Sequence, residues 1–184
     1  MRRKLLDATA SVYATHGQSG LTAERIAHTA DVSKPTFYKY FPNSTAALDE
    51  LVADGNQQLR ARIERAVGKH DDLPDKVAAA IDAYLDWGIA AGDSLLVYHG
   101  AGLHSPTNAT VAGVMVSLIP APPGAIPAPE LISMALAAFQ AGCVECRLHP
   151  GRRQEIKAAM LRIAFATIGW HPMDATEDSA AQRI

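Results

Sequence analysis

The sequence has two cysteines among 184 residues, few aromatic residues and no long uninterrupted apolar run. Two cysteines cannot build the disulfide framework of a small secreted domain. No run approaches the roughly 20 apolar residues that span a bilayer, so we predict no membrane segment. The basic residues 2–4 resemble the start of an export signal, but Asp7, Thr9 and Ser11 interrupt any apolar stretch behind them. We therefore expect a cytoplasmic protein.

Recognisable catalytic motifs are also missing. The seven histidines are scattered, and none lies in a nucleophile elbow, a zinc-protease motif or a phosphate-binding loop. The sequence therefore predicts neither an enzyme nor a bound cofactor or metal. A helical enzyme with an unfamiliar site remains the alternative from a different functional class.

Composition favours an all-α fold, because 48% of the residues are hydrophobic while only 6% are aromatic. The length suits one or two domains with a substantial core. The net charge is only −2, but it is unevenly distributed. Residues 1–48 hold six basic and three acidic residues, whereas the remainder holds 11 basic and 16 acidic. A basic head on an acidic body can orient a protein on a polyanion.

Residues 22–41 have the pattern of two short helices joined by a tight turn. Thr22 and Ser33 are good N-caps for the two helices, and Pro35 is tolerated in the first turn of the second. Phe37 and Phe41 are four residues apart, so they share a face and should pack inward. This layout predicts a helix-turn-helix that presents hydroxyls and amines to DNA, although an ordinary helical hairpin has the same periodicity.

The first quarter of the chain resembles the N-terminal domain of the tetracycline-repressor (TetR) family. That pattern is a first helix ending in glycine, a threonine-led helix, a turn, a recognition helix rich in serine, threonine and tyrosine, and an aromatic stop. The matching residues are Leu5-Leu6-Asp7-Ala8, His16-Gly17, Gly20-Leu21-Thr22, Ile26-Ala27, Ala30-Asp31-Val32-Ser33, Thr36-Phe37-Tyr38-Lys39-Tyr40-Phe41 and Leu48.

The resemblance implies about nine helices in two domains, a helix-turn-helix DNA-binding domain at 1–46 and a ligand-binding and dimerisation domain at 47–184. It also implies a homodimer on a double-stranded DNA operator. The residues that it assigns to DNA binding are Thr22, Ser33, Lys34, Thr36, Tyr38, Lys39 and Tyr40. Residues 2–4 could add non-specific attraction if they reach the duplex.

Two residues depart from the family pattern. Asp31 replaces the usual glycine of the turn, which is a mild change because aspartate tolerates left-handed backbone geometry. Ser44 stands where many members carry a lysine, so the cationic phosphate contact expected there is missing.

The rest of the chain reads as six helices interrupted by one proline-rich stretch. Helices are predicted at about 44–67, 74–91, 94–103, 107–119, 128–148 and 151–170. The last two are apolar nearly all round, and such helices must bury more than one face. We expect the two helices to form a four-helix dimer interface about a two-fold axis. One carries a stripe of Ile132, Ala135, Leu136, Phe139, Gly142, Cys143 and Cys146, and the other a stripe of Ile156, Met160, Ile163, Ala164 and Thr167. A larger monomeric core is the alternative.

The middle helices are predicted to enclose a cavity for a small, largely apolar effector that releases a repressor from its operator. Its expected lining is Tyr84, Trp87, Tyr98, His99, His104, Met115, Met134 and Phe139. Each of these side chains could equally be ordinary core. The effector would act by shifting the helix that begins at Ser44.

Cys143, Cys146 and His149 suggest a different signal, because their spacing of three residues could serve metal or thiol-redox sensing. Buried cysteines more often behave as small hydrophobic residues. A thiol- or metal-sensing repressor is thus the alternative to the effector model.

Overall fold

The computed structural model describes residues 1–100, 109, 111–113 and 129–169, and all regular structure in those ranges is helical. The predicted all-α fold is confirmed. The described α-helices are α1 (Arg2–His16), α2 (Ala23–Thr29), α3 (Lys34–Tyr38), α4 (Ser44–Val67), α5 (Leu73–Ala90), α6 (Ser94–His99), α7 (Pro129–Leu148) and α8 (Arg153–Ile168). Short 3₁₀ turns follow α1 at Gln18–Gly20 and precede α8 at Pro150–Arg152.

Side-chain caps set the starts of four helices. Thr22, Ser33 and Asn43 each accept a hydrogen bond from the backbone N–H three residues later, at 3.2, 3.2 and 2.8 Å. Asp72 caps α5 in the same way at 2.8 Å. Each such cap is worth roughly 1 kcal/mol of helix stability, so the boundaries follow from local sequence chemistry.

One helix end was predicted less accurately, and several other predictions concern residues outside the described ranges. Helix α6 ends at His99 rather than near 103, and the glycine that follows it has a low helix propensity. Most of the helix predicted at 107–119, the proline-rich stretch, and the expected pocket residues His104 and Met115 lie outside the described residues.

One hydrophobic core joins the N-terminal helices to the rest of the chain. Leu5, Ile26 and Phe37 are fully buried in the first three helices, and Leu51 and Leu59 are fully buried along α4. Helix α4 packs against both α1 and α5, while α6 packs against α1 and α4. A displacement of α6 would therefore change its contacts with α1 and α4, the two helices that hold the helix-turn-helix.

The stripe on α7 that we predicted to form a dimer interface faces the protomer's own core. Phe139 is 3% exposed, and Cys143 and Cys146 are 0% exposed. The opposite side of α7 carries the exposed apolar residues Leu131 and Met134. Periodicity identified two apolar faces correctly, but it offered no means of deciding which of them meets the core.

By length and composition alone, α7 is apolar enough over Glu130–Leu148 to cross a membrane, with a mean hydropathy of 1.4. This differs from the prediction that no segment reaches that threshold. Only 28% of the window is buried within the protomer. Because one face of α7 packs on α5 and α8, we interpret the helix as a core helix whose other face is exposed in the protomer.

Helices α5 and α7 approach closely at Gly88, where an added Cβ would overlap Sγ of Cys143. Replacing Gly88 with alanine is expected to destabilise the protein by about 1–3 kcal/mol, because overpacking outweighs the better helix propensity of alanine. Urea unfolding measures the change.

A double variant tests the cause of that destabilisation. Combining Gly88→Ala with Cys143→Ala removes the overlapping sulfur, so the double variant should be more stable than the sum of the single effects predicts. Strict additivity would refute the proposed contact.

Candidate nucleic-acid interface and effector site

The turn between α2 and α3 has the tight geometry of a helix-turn-helix. Asp31 adopts a left-handed conformation with φ of 48°, as its place in the turn predicted. The N–H of Val32 donates to the carbonyl of Ala27 at 2.9 Å, which closes the turn. Aspartate is among the few residues with a side chain that tolerate this backbone geometry at little cost.

Two buried phenylalanines anchor α3 in the core formed with the other N-terminal helices. Phe37 and Phe41 are 0% and 2% exposed, and their ring centroids are 5.8 Å apart. The inward packing predicted for this pair is confirmed. The ring of Tyr38 meets Phe37 edge-on, with centroids 5.5 Å apart, while Tyr38 itself is 50% exposed. The aromatic contact holds the Tyr38 hydroxyl at the surface.

Six of the seven expected DNA-contact residues lie in one short segment from Ser33 to Tyr40, and Thr22 caps the start of α2. Thr22, Ser33, Lys34, Tyr38 and Lys39 are exposed, whereas Thr36 and Tyr40 are half-buried. The hydroxyls of Ser33 and Thr36 lie 2.8 Å apart, and the Lys34 ammonium lies 4.0 Å from Glu24. Exposed ion pairs of this length are weak, so the amine remains available to a stronger anion.

Arg2 and Arg3 are held by carboxylates of the protein itself. Arg2 pairs with Glu50 through two nitrogens, and this guanidinium holds the pKa of Glu50 below its ordinary value. Arg3 lies 2.9 Å from Asp7 and 3.1 Å from Asp54. The non-specific attraction suggested for these two arginines is therefore reduced, and they instead tie α1 to α4. Helical periodicity carries no signal for pairs that are 48 and 51 residues apart.

Ser44 has a structural role at the place where the family pattern expects lysine. Its hydroxyl donates to the carbonyl of Leu21 at 3.1 Å. This bond joins the start of α4 to the segment that precedes α2. The side chain thus supports the head without offering a positive charge to phosphate.

Five of the expected effector residues are brought into the body of the protein. Tyr84, Trp87, Tyr98 and Phe139 are each at most 6% exposed. Trp87 stacks on Tyr98 with centroids 4.9 Å apart, and Tyr84 lies 6.0 Å from Trp87. The Tyr84 hydroxyl and Nε2 of His99 are 3.2 Å apart.

Met134, in contrast, is not part of this aromatic cluster. It is 69% exposed on the outer face of α7. Its position on an apolar helix predicted burial, but the burial available within one protomer is on the other side of that helix.

Burial keeps the Tyr84 hydroxyl and the His99 imidazole uncharged. It lowers the pKa of His99 to about 4 and raises the pKa of Tyr84. At neutral pH the site therefore presents a neutral imidazole and a neutral phenol among aromatic rings. Such groups suit an uncharged ligand better than an ion.

The depressed pKa of His99 predicts a specific pH dependence of stability. An unfolded histidine is protonated near pH 6.5, whereas the folded one resists protonation until about pH 4. Stability should therefore fall as the pH drops from 6.5 to 4, by roughly 2 kcal/mol after allowance for partial exposure. In a His99→Gln variant this part of the pH dependence should disappear, as measured by urea unfolding at pH 7, 6 and 5. Parallel curves for the two proteins would contradict the assignment.

A separate cavity of about 460 Å³ lies between α1, α4 and α6. Among the described residues, Tyr98 is the one expected effector residue that lines it, whereas Tyr13, Val52 and Asn56 in its wall were not predicted. Asn56 has a buried side-chain oxygen without a hydrogen-bond partner in the described part of the chain. An acceptor left in this state costs roughly 1–3 kcal/mol.

Both thiols are free and buried in the protomer. Burial raises the pKa of Cys143 to about 12, and it also raises that of Cys146. Thiolates are the reactive and metal-binding form, so both side chains act as neutral core groups. Within the described ranges, no three histidine, cysteine or acidic residues are grouped so that they could hold a metal ion. The Cys143, Cys146 and His149 alternative stays a prediction.

Comparison with known proteins supports the structural assignment of the head. Residues 5–51 match the family model of bacterial regulatory proteins, tetR family. No curated protein matches the sequence.

Solved structures of TetR-family regulators have a similar fold. A tetR-family regulatory protein from Rhodococcus RHA1 aligns with a TM-score of 0.70 at 20% identity, over 92% of this chain and 97% of that one. The fatty acid degradation regulator FadR from Bacillus halodurans aligns at 0.67 and 16%, over 91% and 94%. A TetR-family regulator from Streptomyces coelicolor aligns at 0.65 and 17%, over 91% and 97%.

Proposed function

We propose that this chain, which belongs to the TetR family of bacterial regulatory proteins, is a non-enzymatic repressor that leaves its operator when a small, largely apolar molecule binds. Its fold is that of a TetR-family transcription regulator. The proposal treats residues 1–46 as the DNA-binding domain and 47–184 as the effector and dimerisation domain. A protein that binds operator DNA works in the cytoplasm.

The observation that carries the proposal is the polar surface of α3. Lys34, Tyr38 and Lys39 are exposed there, while Phe37 and Phe41 anchor the same segment in the core. A helix held in this way can enter the major groove as a rigid body. Hydroxyl and amine donors then reach phosphate oxygens and base edges. We assign Lys34 and Thr36 to base edges, and Thr22 and Tyr38 to phosphates.

A homodimer supplies the second half-site contact. The outer side of α7 leaves Leu131, Met134 and Leu148 between 48% and 69% exposed, and Ala138 and Ala141 continue the same heptad-like stripe. A two-fold axis through this face would bury it against its own copy. Two heads held at fixed separation can then read two half-sites.

The effector is proposed to act through α6. The cluster of Tyr84, Trp87 and Tyr98 joins α5 to α6, and α6 in turn contacts α1 and α4. An effector that binds the released conformation better than the DNA-bound one would shift α6 and change the separation of the heads. A coupling of about 1–3 kcal/mol lowers operator affinity by roughly 5–150-fold.

A gel-shift experiment with the upstream region of the protein's own gene tests this function. The expected result is a discrete complex that survives an excess of unrelated duplex and protects a two-fold symmetric footprint. Binding that unrelated DNA competes away equally well would refute operator recognition.

A further inference from the structure

The side chain of Arg2 contacts both α4 and the end of the segment that carries α3. Its Nε and Nη2 atoms donate to the two carboxylate oxygens of Glu50. Its Nη1 atom donates to the carbonyl of Tyr40 at 3.5 Å, and the guanidinium lies over the ring of Phe41, 4.8 Å from the ring centroid. One side chain at the start of α1 therefore joins three parts of the chain.

The contacts with Tyr40 and Phe41 lie where the exposed DNA-contact segment ends. The N–H groups of these two residues both donate to the carbonyl of Phe37, at 2.9 and 3.0 Å, so they form the last turn of that segment. Carbonyl groups at the end of a helix lack intrahelical donors, and a nearby arginine can supply one. A guanidinium is also attracted to the face of an aromatic ring. Arg2 thus suits both groups that it meets in this turn.

Glu50 lies near the start of the long helix that connects the head to the body. Helix α4 packs against both α1 and α5, and Leu51, next to Glu50, is fully buried. A two-pronged arginine–carboxylate pair fixes the orientation of its partners as well as their separation. A rotation of α4 would therefore move the guanidinium that contacts the end of the α3 segment.

We propose that Arg2 is a positioning residue for operator binding, which sets the orientation of α3 relative to α4 instead of contacting phosphate. The proposal rests on the DNA-binding function proposed above. Its guanidinium is already engaged by Glu50 and Tyr40. Without these contacts α3 would be held less firmly, so the base-edge contacts assigned to Lys34 and Thr36 would weaken. Attraction to phosphates does not depend on this alignment, and it would persist.

Arg3 offers a matched control in the next position of the chain. It lies 3.1 Å from Asp54 of α4 and 2.9 Å from Asp7 of α1. The pair with Asp54 joins the same two helices as the pair of Arg2 with Glu50. Both carboxylate partners of Arg3 lie on α1 and α4 rather than at the end of α3. Changing Arg3 therefore alters a similar ion pair without altering the proposed alignment.

Fluorescence anisotropy tests the proposal on two duplexes, the upstream fragment bound in the gel-shift experiment and an unrelated sequence. Arg2→Lys keeps the charge but loses the planar fork, and Glu50→Gln keeps Arg2 but removes the carboxylate. In both variants the ratio of operator affinity to unrelated-duplex affinity should fall about fivefold, the low end of what one base-edge contact contributes. The slope of log affinity against log salt should not change in Arg2→Lys, and Arg3→Lys should keep the wild-type ratio.

A phosphate contact by Arg2 predicts the opposite pattern. Arg2→Lys would then bind like the wild type, and Glu50→Gln would bind every duplex more tightly because it releases the guanidinium. Either that pattern or a wild-type ratio in both variants would overturn the proposal. Urea unfolding shows whether the variants remain folded in the assay, and a loss of stability alone would leave the ratio unchanged.

Amide hydrogen exchange without DNA measures the alignment separately from operator recognition. Residues 38–43 should exchange faster in Arg2→Lys and Glu50→Gln than in the wild type, because the turn has lost its contact with α1 and α4. Arg3→Lys should exchange like the wild type in this segment. Unchanged exchange in the first two variants would refute the role of Arg2 while operator recognition stands. A wild-type protein that binds both duplexes equally would instead refute the DNA-binding function on which the proposal rests.

Discussion

Replacing Ala141 with glutamate is expected to produce monomers and to lower operator affinity at least about a hundredfold. Ala141 is exposed in the protomer, near the middle of the apolar outer stripe of α7. A carboxylate there would be buried against its symmetry mate without a partner, which is strongly unfavourable. Two linked half-sites gain roughly 10²–10⁴ in apparent affinity through effective concentration, and a monomer loses that gain.

Sedimentation velocity at micromolar concentration and fluorescence anisotropy on operator DNA measure the two effects. Ala61→Glu is the matched control, since Ala61 is an exposed alanine of α4 and should leave both quantities unchanged. Phe139→Asp would be a poor substitute because Phe139 is 3% exposed in the protomer core. A variant at Ala141 that remains dimeric would exclude this face as the interface.

Lys34→Ala should lower operator affinity by roughly 5–150-fold and relax specificity at one base position, because a good base-edge contact is worth about 1–3 kcal/mol. Lys34 lies at the start of α3, with its side chain 53% exposed. The exposed ion pair between Lys34 and Glu24 is too weak to keep the Lys34 ammonium from a guanine edge.

Two further variants separate base contacts from phosphate contacts. Lys39→Ala should weaken binding to all sequences alike and reduce the slope of log affinity against log salt by about one. Tyr38→Phe removes one hydroxyl and should cost about 1 kcal/mol on every duplex. Lys69→Ala, an exposed lysine beyond the end of α4, is the control. Wild-type affinity in both Lys34→Ala and Tyr38→Phe would disprove the assigned contacts.

The sequence predicted the head well because its structure depends on local chemistry. Caps such as Thr22 and Ser33 act three residues along the chain, and Phe37 and Phe41 are one helical turn apart. The left-handed residue Asp31 was likewise identifiable from its place in the turn. None of these features depends on distant segments of the chain.

The body was harder to predict because its features depend on distant segments. Helix α7 is apolar on two sides, and only the packing on α5 and α8 decides that Phe139 points inward and Met134 outward. The cavity between α1, α4 and α6 is lined by residues that lie up to more than 80 positions apart in the sequence. Pairs such as Arg2 with Glu50 have no periodic signature.

Selection of bound duplexes from a random-sequence DNA pool tests operator recognition most directly, because the pool contains every candidate half-site without favouring one. We predict enrichment of an inverted repeat whose half-sites are centred about one helical turn, roughly 10–10.5 base pairs, or a multiple of it apart. The Lys34→Ala protein should enrich the same repeat from the same pool, but with one base position of each half-site relaxed. A pool that remains random after repeated selection with the wild-type protein, or that yields one unsymmetrical site, would contradict a dimeric helix-turn-helix regulator.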